Sequence, residues 1–372
     1  LKEESGGLYK FKTFKIHKFK APVYALAAFR PNELLISHGN RLELHRVIFE
    51  GEPQKPRWQS VCQFELYSPG IHVTTSAPYA YVSTAEHSFL TYEFRSKPSP
   101  SGPPDESLSL LFSDGVARDT TCHLSLKLPT PVLQQQTNGA DHASANELSV
   151  SSEVDTHNLV LVADKAKGLV GLAHPLADRH QQVTSTLFEA HLSKSVMRLK
   201  RASIRPPWQQ RNIKGVLVDD IIGSCTDGRI FQFSIVDAEV WRLLKFIENL
   251  CRWADEMTML DFSDGSCVCV VVDPDRDTAS IRSSKTGYHV DGDILDQLLK
   301  VGGRRELKRM LELPLPDKDR VMGEADLNAP PEERVERFLA LAGVVSEFEH
   351  EDLEEAIDGV VVWMRDVLAS ML

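Results

Sequence analysis

From residue 8 to about 236 this chain is written in short runs of alternating, β-branched or aromatic residues; from Ala238 onward the apolar spacing becomes helical. That change of period restricts the fold to a β-rich N-terminal part and a helical C-terminal part. Strands are expected at 23–29, 34–37, 41–47, 61–65, 72–75, 79–83 and 89–94, and again at 159–163, 168–173, 186–190, 196–200, 215–218, 221–224 and 229–235. Turn residues separate the first group: Arg30-Pro31-Asn32, His38-Gly39-Asn40, Ser68-Pro69-Gly70 and Ala77-Pro78. The stretches 159–172 and 221–233 read as hairpins, each a strand, a charged turn with Gly and an apolar strand. This spacing suits a sandwich or a propeller, and at four strands to a blade it amounts to about four blades of a degenerate repeat. Residues 96–107 and 130–156 are polar and rich in Pro, Ser or Asn, and are expected to be disordered insertions.

Helices are expected at about 238–253, 292–301, 303–312, 331–343 and 350–371, with Pro314, Pro316, Pro330 and Pro331 as separators. Val240, Trp241, Leu243, Leu244, Ile247, Leu250 and Cys251 make one apolar face on the first. A strand is predicted at 267–272. Before the second helix, Tyr288-His289-Val290 leads into Asp291-Gly292-Asp293. Asp291 or Asp293 can accept bonds from the free N–H groups of the first turn. Ile294, Leu295, Leu298 and Leu299 then line one helix face. The expected domains are a β-portion over 1–236 and a helical domain over 237–372.

The 372 residues suffice for two domains with cores of their own. A net charge of −11 argues against a protein that wraps nucleic acid through its own phosphate contacts. Two basic stretches run against that balance. One holds Lys10, Lys12, Lys15, Lys18 and Lys20; the other holds Lys194, Arg198, Lys200, Arg201 and Arg205. Each is either a solvated strand face or a nucleic-acid contact. Trp58 and Trp208 lie in Pro/Arg-rich segments read as loops and, with Arg205, are candidate partner contacts. The six cysteines are scattered, which fits a reducing compartment better than a disulfide framework. There is no run of 18 apolar residues, so no membrane span is expected.

Chemistry-bearing motifs are weak. Cys267-x-Cys269 lacks a second pair at ligand spacing. Ser113-Asp114-Gly115, Thr226-Asp227-Gly228 and Ser263-Asp264-Gly265 read as turns. No P-loop, G-x-S-x-G or H-E-x-x-H occurs. The 13 histidines do not cluster along the chain, and His38/His45 and His174/His180 have no useful acidic neighbours. No catalytic residue, cofactor or metal is expected.

Three segments occur in an order that carries a resemblance: Thr226-Asp227-Gly228-Arg229-Ile230, Val240-Trp241-Arg242-Leu243-Leu244 and Asp291-Gly292-Asp293-Ile294-Leu295. They resemble the C-terminal end of the family containing the cleavage and polyadenylation specificity factor A-subunit and the large subunit of the damaged-DNA-binding protein. Ala21-Pro22-Val23-Tyr24-Ala25-Leu26 and Asn40-Arg41-Leu42-Glu43-Leu44 are similar to that family's blade-opening strands. The resemblance implies a partial β-propeller followed by a C-terminal helical domain. It also implies a non-enzymatic nuclear scaffold that holds partner helices beside the helical domain. The expected role is an adaptor of a cullin-type ubiquitin ligase in DNA repair, replication or chromatin silencing. The alternative is a subunit of an mRNA 3'-end processing or splicing complex, with RNA on the basic stretches. A propeller hydrolase is a distant third. Family rings hold more blades than are counted here, so further strands are expected upstream. Ser280-Ile281-Arg282-Ser283 departs from the family's aromatic-Arg-aromatic pattern, and 312–334 is Pro-rich. Both, with the long polar insertions, suggest a divergent, fungal-type member.

Overall fold

The structure, a computed structural model, describes residues 2–4, 8–10, 18–50, 55–98, 104–129, 156–173, 185–202, 213–258, 289–313, 330–345 and 352–368. The chain is mainly β with a helical C-terminal part. Strands β1 (Lys2–Glu4) and β2 (Leu8–Lys10) form a short antiparallel pair. Four further sheets follow in chain order. The first is β3 (Val23–Arg30), β4 (Glu33–His38), β5 (Arg41–Glu50) and β6 (Lys55–Glu65). The second is β7 (Gly70–Ser76), β8 (Tyr79–Thr84), β9 (Phe89–Lys97) and β10 (Asp105–Ser113). The third is β11 (Thr120–Pro129), β12 (Thr156–Asp164), β13 (Gly168–Ala173) and β14 (Ser185–His191). The last has three strands, β15 (Val196–Arg201), β16 (Val216–Cys225) and β17 (Ile230–Val236). Within each, every strand pairs with its sequence neighbour, the commonest arrangement of consecutive strands.

Both expected hairpins are present. In β12–β13 the turn takes its positive φ at Lys167 (+68°), and in β16–β17 at Gly228 (+88°). Some strands were not legible. β1, β2, β10 and β11 fall outside the expected strands, and β9 and β10 shorten the insertion expected at 96–107 from its two ends. Its two ends pair, with Ser96 opposite Glu106 and Lys97 opposite Asp105. The composition said loop, but Leu108 and Phe112 are buried and Glu106 reaches Arg46 at 2.8 Å. The expected insertion at 130–156 and the predicted strand at 267–272 lie outside the described residues, except that Thr156 opens β12.

Two compact units divide the chain. One comprises residues 1–125, 160–166 and 172–185; the other comprises 126–159, 167–171 and 186–372. In the first, pairing register makes the core. Leu35 lies opposite Leu44, and Ser37 opposite Leu42. Leu35, Leu42 and Leu44 are thereby set on one face, fully buried with Ala80 and Val82. Each such leucine stabilises the fold by about 1.5–3 kcal/mol.

In the second unit, β17 runs straight into helix α1 (Ala238–Thr258). Asp237 makes the junction: its Oδ1 accepts from Val240 N at 2.8 Å, and its own N–H donates to Gly215 O at 2.9 Å. Four more helices follow: α2 (Gly292–Val301), α3 (Arg304–Glu312), α4 (Pro331–Ala342) and α5 (Leu353–Leu368). They share one core, in which Val240, Leu243, Ile247, Leu250, Leu307, Leu311, Phe338, Ile357 and Met364 are fully buried. Val216 and Val236 of the last sheet, and Ile213 just before it, pack on the same core. Trp363 of α5 donates Nε1–H to Lys214 O at 3.1 Å, a second tie from helices to sheet. Arg334 of α4 is buried and donates to the carbonyl of Leu313, just past α3, an open acceptor at the helix end. Burial lowers its pKa from the ordinary arginine value. Among the described residues no helix is long and apolar enough to cross a membrane.

Candidate functional site

Helix α2 and its N-cap residue Asp291 carry the five residues, Asp291 to Leu295, on which the resemblance mainly rests. Of the two candidate caps the fold uses Asp291. Its backbone is extended (φ −81°, ψ 105°), and its Oδ1 accepts from Asp293 N at 3.1 Å. Leu295 and Leu298 are 2% exposed in the core shared with α1, while Ile294 and Leu299 pack at its margin. A polar network fixes the entry to the helix. Glu248 of α1, with its side chain 1% exposed, holds Lys245 at 2.9 Å and Arg252 at 2.8 Å. Lys245 Nζ also donates to His289 O at 3.4 Å, and Arg252 lies 3.9 Å from Asp291. The segment 289–291 is thus clamped to the middle of α1 by charges that are themselves paired.

The environment shifts two titrations here. Burial lowers the His289 pKa, against the pull of Glu248 and Asp291. Partial desolvation raises that of Asp293, and the nearby Asp291 and Asp296 add to it. Arg229, from the β16–β17 turn, opposes that rise, so the turn and the start of α2 feel each other's charge. Gly292 has no steric reason to be glycine. A Cβ there would meet only Leu368 Cδ2 at 3.7 Å, and its φ is not positive. Gly292→Ala therefore leaves the fold intact and changes stability by less than about 1 kcal/mol, in the stabilising direction. Thermal unfolding of that variant checks it; a loss of several degrees would show that the glycine serves a contact outside this unit.

The remaining candidate residues are dispersed. Trp58 sits in a strand, not a loop: it is in β6 opposite Val47, half-buried, with its ring 5.9 Å from that of His45. The Lys-Pro-Arg composition suggested a turn, but pairing with the long β5 overrides it. Trp208 and Arg205 lie outside the described residues, as do Lys12 and Lys15. Lys10 is the last residue of β2. Lys194, Arg198 and Arg201 are exposed at and just before β15, an edge strand of its sheet. Arg201 is paired with Asp220 of β16 at 2.8 Å, which reduces the charge this edge offers to a phosphate.

Two polar clusters escaped sequence reading. His38 and His45 do have an acidic neighbour. Glu43 lies between them, 3.0 Å from His38 Nε2 and 2.8 Å from His45 Nε2, under the rings of Phe19 and Trp58. Burial raises the Glu43 pKa, but hydrogen bonds with His45 and His38 outweigh it and the net shift is downward. The signal was present: Glu43 and His45 share a face by the strand period, and the hairpin turn at Gly39-Asn40 brings His38 beside them.

The second cluster joins distant segments. His123 of β11 is buried, with Thr74 Oγ1 2.6 Å from its Nε2 and Ser83 Oγ 2.8 Å from its Nδ1. Its backbone N–H donates to His72 Nδ1 at 3.2 Å. Ser83 is fully buried, and this Ser–His pair fastens β11 to β8, as Thr74 fastens it to β7. Among the described residues no group of three His, Cys, Asp or Glu side chains is arranged to hold a metal ion.

Burial, then the adjacent His72, holds the His123 pKa well below the ordinary imidazole value. The unfolded chain therefore binds a proton near pH ~6.5 that the folded chain refuses. Stability is full above that pH and falls as pH drops below it; His289 acts in the same direction. Denaturant midpoints measured from pH 8 to pH 5 are expected to fall below about pH 6.5, and His123→Gln to flatten that fall. An unchanged slope in the variant would remove His123 from the account.

Neither a family model nor a curated protein matches the chain.

Proposed function

We propose that this chain is a non-enzymatic scaffold subunit of a nuclear multiprotein complex, built as part of a β-propeller with a C-terminal helical module. The observation that carries the reading is the ordered hand-over in the second unit. An up-and-down sheet ends in β17, passes through Asp237 into α1, and α1 receives the Asp291-capped helix in a shared core. That is the order of the three segments that resemble the cleavage and polyadenylation specificity factor A-subunit family. The earlier sheets support it: each has four strands in sequence order, which is how a propeller blade is built. On this reading each sheet is one blade. The role is that of an adaptor for a cullin-type ubiquitin ligase in repair, replication or chromatin silencing. Partner helices would be held beside α1–α5.

The test is affinity purification of the tagged full-length protein from nuclease-treated nuclear extract, read by mass spectrometry. A cullin together with repair or chromatin factors is the expected result. Polyadenylation or splicing subunits would move the protein to RNA processing. Recovery of neither, with the protein behaving as a free monomer, would sink the scaffold reading.

A further inference from the structure

Strand β11 is fastened to the second sheet by histidines and hydroxyls, and one of those bonds fixes a protonation state. Val73 and Val82 turn one face of the second sheet into the core that holds Leu35 and Leu44. On the other face His72 lies opposite Ser83, and Thr74 opposite Tyr81. β11 lays His123 on that face, near the rings of Tyr81 and Phe89. The backbone N–H of His123 donates to His72 Nδ1 at 3.2 Å. His72 Nδ1 is therefore an acceptor, and the hydrogen of its neutral ring sits on Nε2.

A further proton on His72 goes to Nδ1 and turns that atom from acceptor to donor. Two donors then face each other, and the His123 amide loses its acceptor in a buried place. His123 Nδ1, 3.3 Å from His72 Nδ1, does not relieve the conflict. Its closer partner is Ser83 Oγ at 2.8 Å, and a ring nitrogen has either one lone pair or one hydrogen to give. His123 is buried, and that burial disfavours its own charged form. His72 is only half-buried, so it is the member of the pair that solvent protons reach more readily. On the described elements the titratable groups that face this pair are the two histidines themselves and Tyr81, whose pKa burial raises.

We infer that His72 is an acid-sensitive latch: its protonation parts the first half of β11, residues 120–125, from β7 and β8. β11 remains tied to its own sheet, since Thr121 Oγ1 donates to Ala163 O of β12 at 3.2 Å. The fastened arrangement refuses a proton at His72 and at His123 that the parted one accepts at both. The latch is therefore closed above the ordinary imidazole value, about 6.5, and opens as pH falls below it. The inference is independent of the scaffold reading.

The test is NMR-detected hydrogen exchange of the His123 amide in the full chain, between about pH 7.5 and about pH 5. The rate is taken relative to an unstructured amide at the same pH. Two protons taken up on opening should accelerate it by up to about 100-fold per pH unit below about pH 6.5. In His72→Asn the amide side-chain oxygen stands where Nδ1 stood and does not titrate. The acceleration should then drop to at most about tenfold per pH unit, the share of one proton. The amides of Leu243 and Ile247 in α1 should keep their protection throughout. Relative exchange at His123 that ignores pH would overturn the inference; a proton shared between the two Nδ1 atoms would give that result. So would a slope that His72→Asn leaves unchanged, or α1 amides that lose protection in step with His123, which would make the event global unfolding.

Discussion

Phe338→Ala unfolds the helical unit at markedly lower denaturant than wild type, with an expected loss of about 3–5 kcal/mol. Phe338 is fully buried in α4, in the same core as Leu243, Ile247, Leu307 and Met364. Its removal withdraws a whole ring from that core and leaves a cavity that the packed helices fill only in part. Phe338→Leu keeps most of the volume and should cost much less. Chemical denaturation followed by helical signal measures both. Equal effects from the two variants would mean that the site is lost through something other than volume.

Gly215→Ala is the second large effect, at about 2–5 kcal/mol when the two penalties below are combined. Gly215 sits at φ +74°, where a side chain costs about 1–2 kcal/mol. An added Cβ would also overlap Val240 Cγ2 and come within 3.0 Å of Asp237 Oδ2. Val240 is fully buried and Asp237 caps α1, so neither can move without disturbing the junction. Overpacking of this kind adds about 1–3 kcal/mol. Gly228 separates the two contributions. It has φ +88° but open space around its Cα, so Gly228→Ala carries the backbone penalty alone. Melting temperatures of the two variants should differ by the steric part. If they coincide, the packing of β16 and α1 is looser than this geometry.

The elements were legible where local pattern and local structure agree. The β4–β5 hairpin follows from strand alternation and a Gly39-Asn40 turn, and its register places Leu35, Leu42 and Leu44 on one face. The helices follow from spacing and proline punctuation; α1 runs further than expected, to Thr258, and α5 occupies Leu353–Leu368 within its expected span. Strand β10 was missed because Pro, Ser and acidic residues around 96–107 speak for a loop. What holds β10 is distant in sequence: its partner β9, and Arg46, which binds Glu106. Trp58 was misplaced for the same reason, since its Pro/Arg neighbours are local and its partner Val47 is not.

The candidate site divides along the same line. That α2 begins at an Asp-Gly-Asp segment was readable, because a cap acts within one helical turn. That Asp291 and not Asp293 is the cap was decided by tertiary structure, through Arg252, Glu248 and Lys245 on α1. The sequence by itself determined the change of period at Ala238, the turns and the apolar faces, since these depend on interactions a few residues long. Only the tertiary structure decided which polar groups meet, such as the His72 and His123 side chains across 51 residues and the Trp363 indole with the Lys214 carbonyl across 149. Such pairings depend on which faces are buried together, and burial belongs to the assembled fold and not to any one segment.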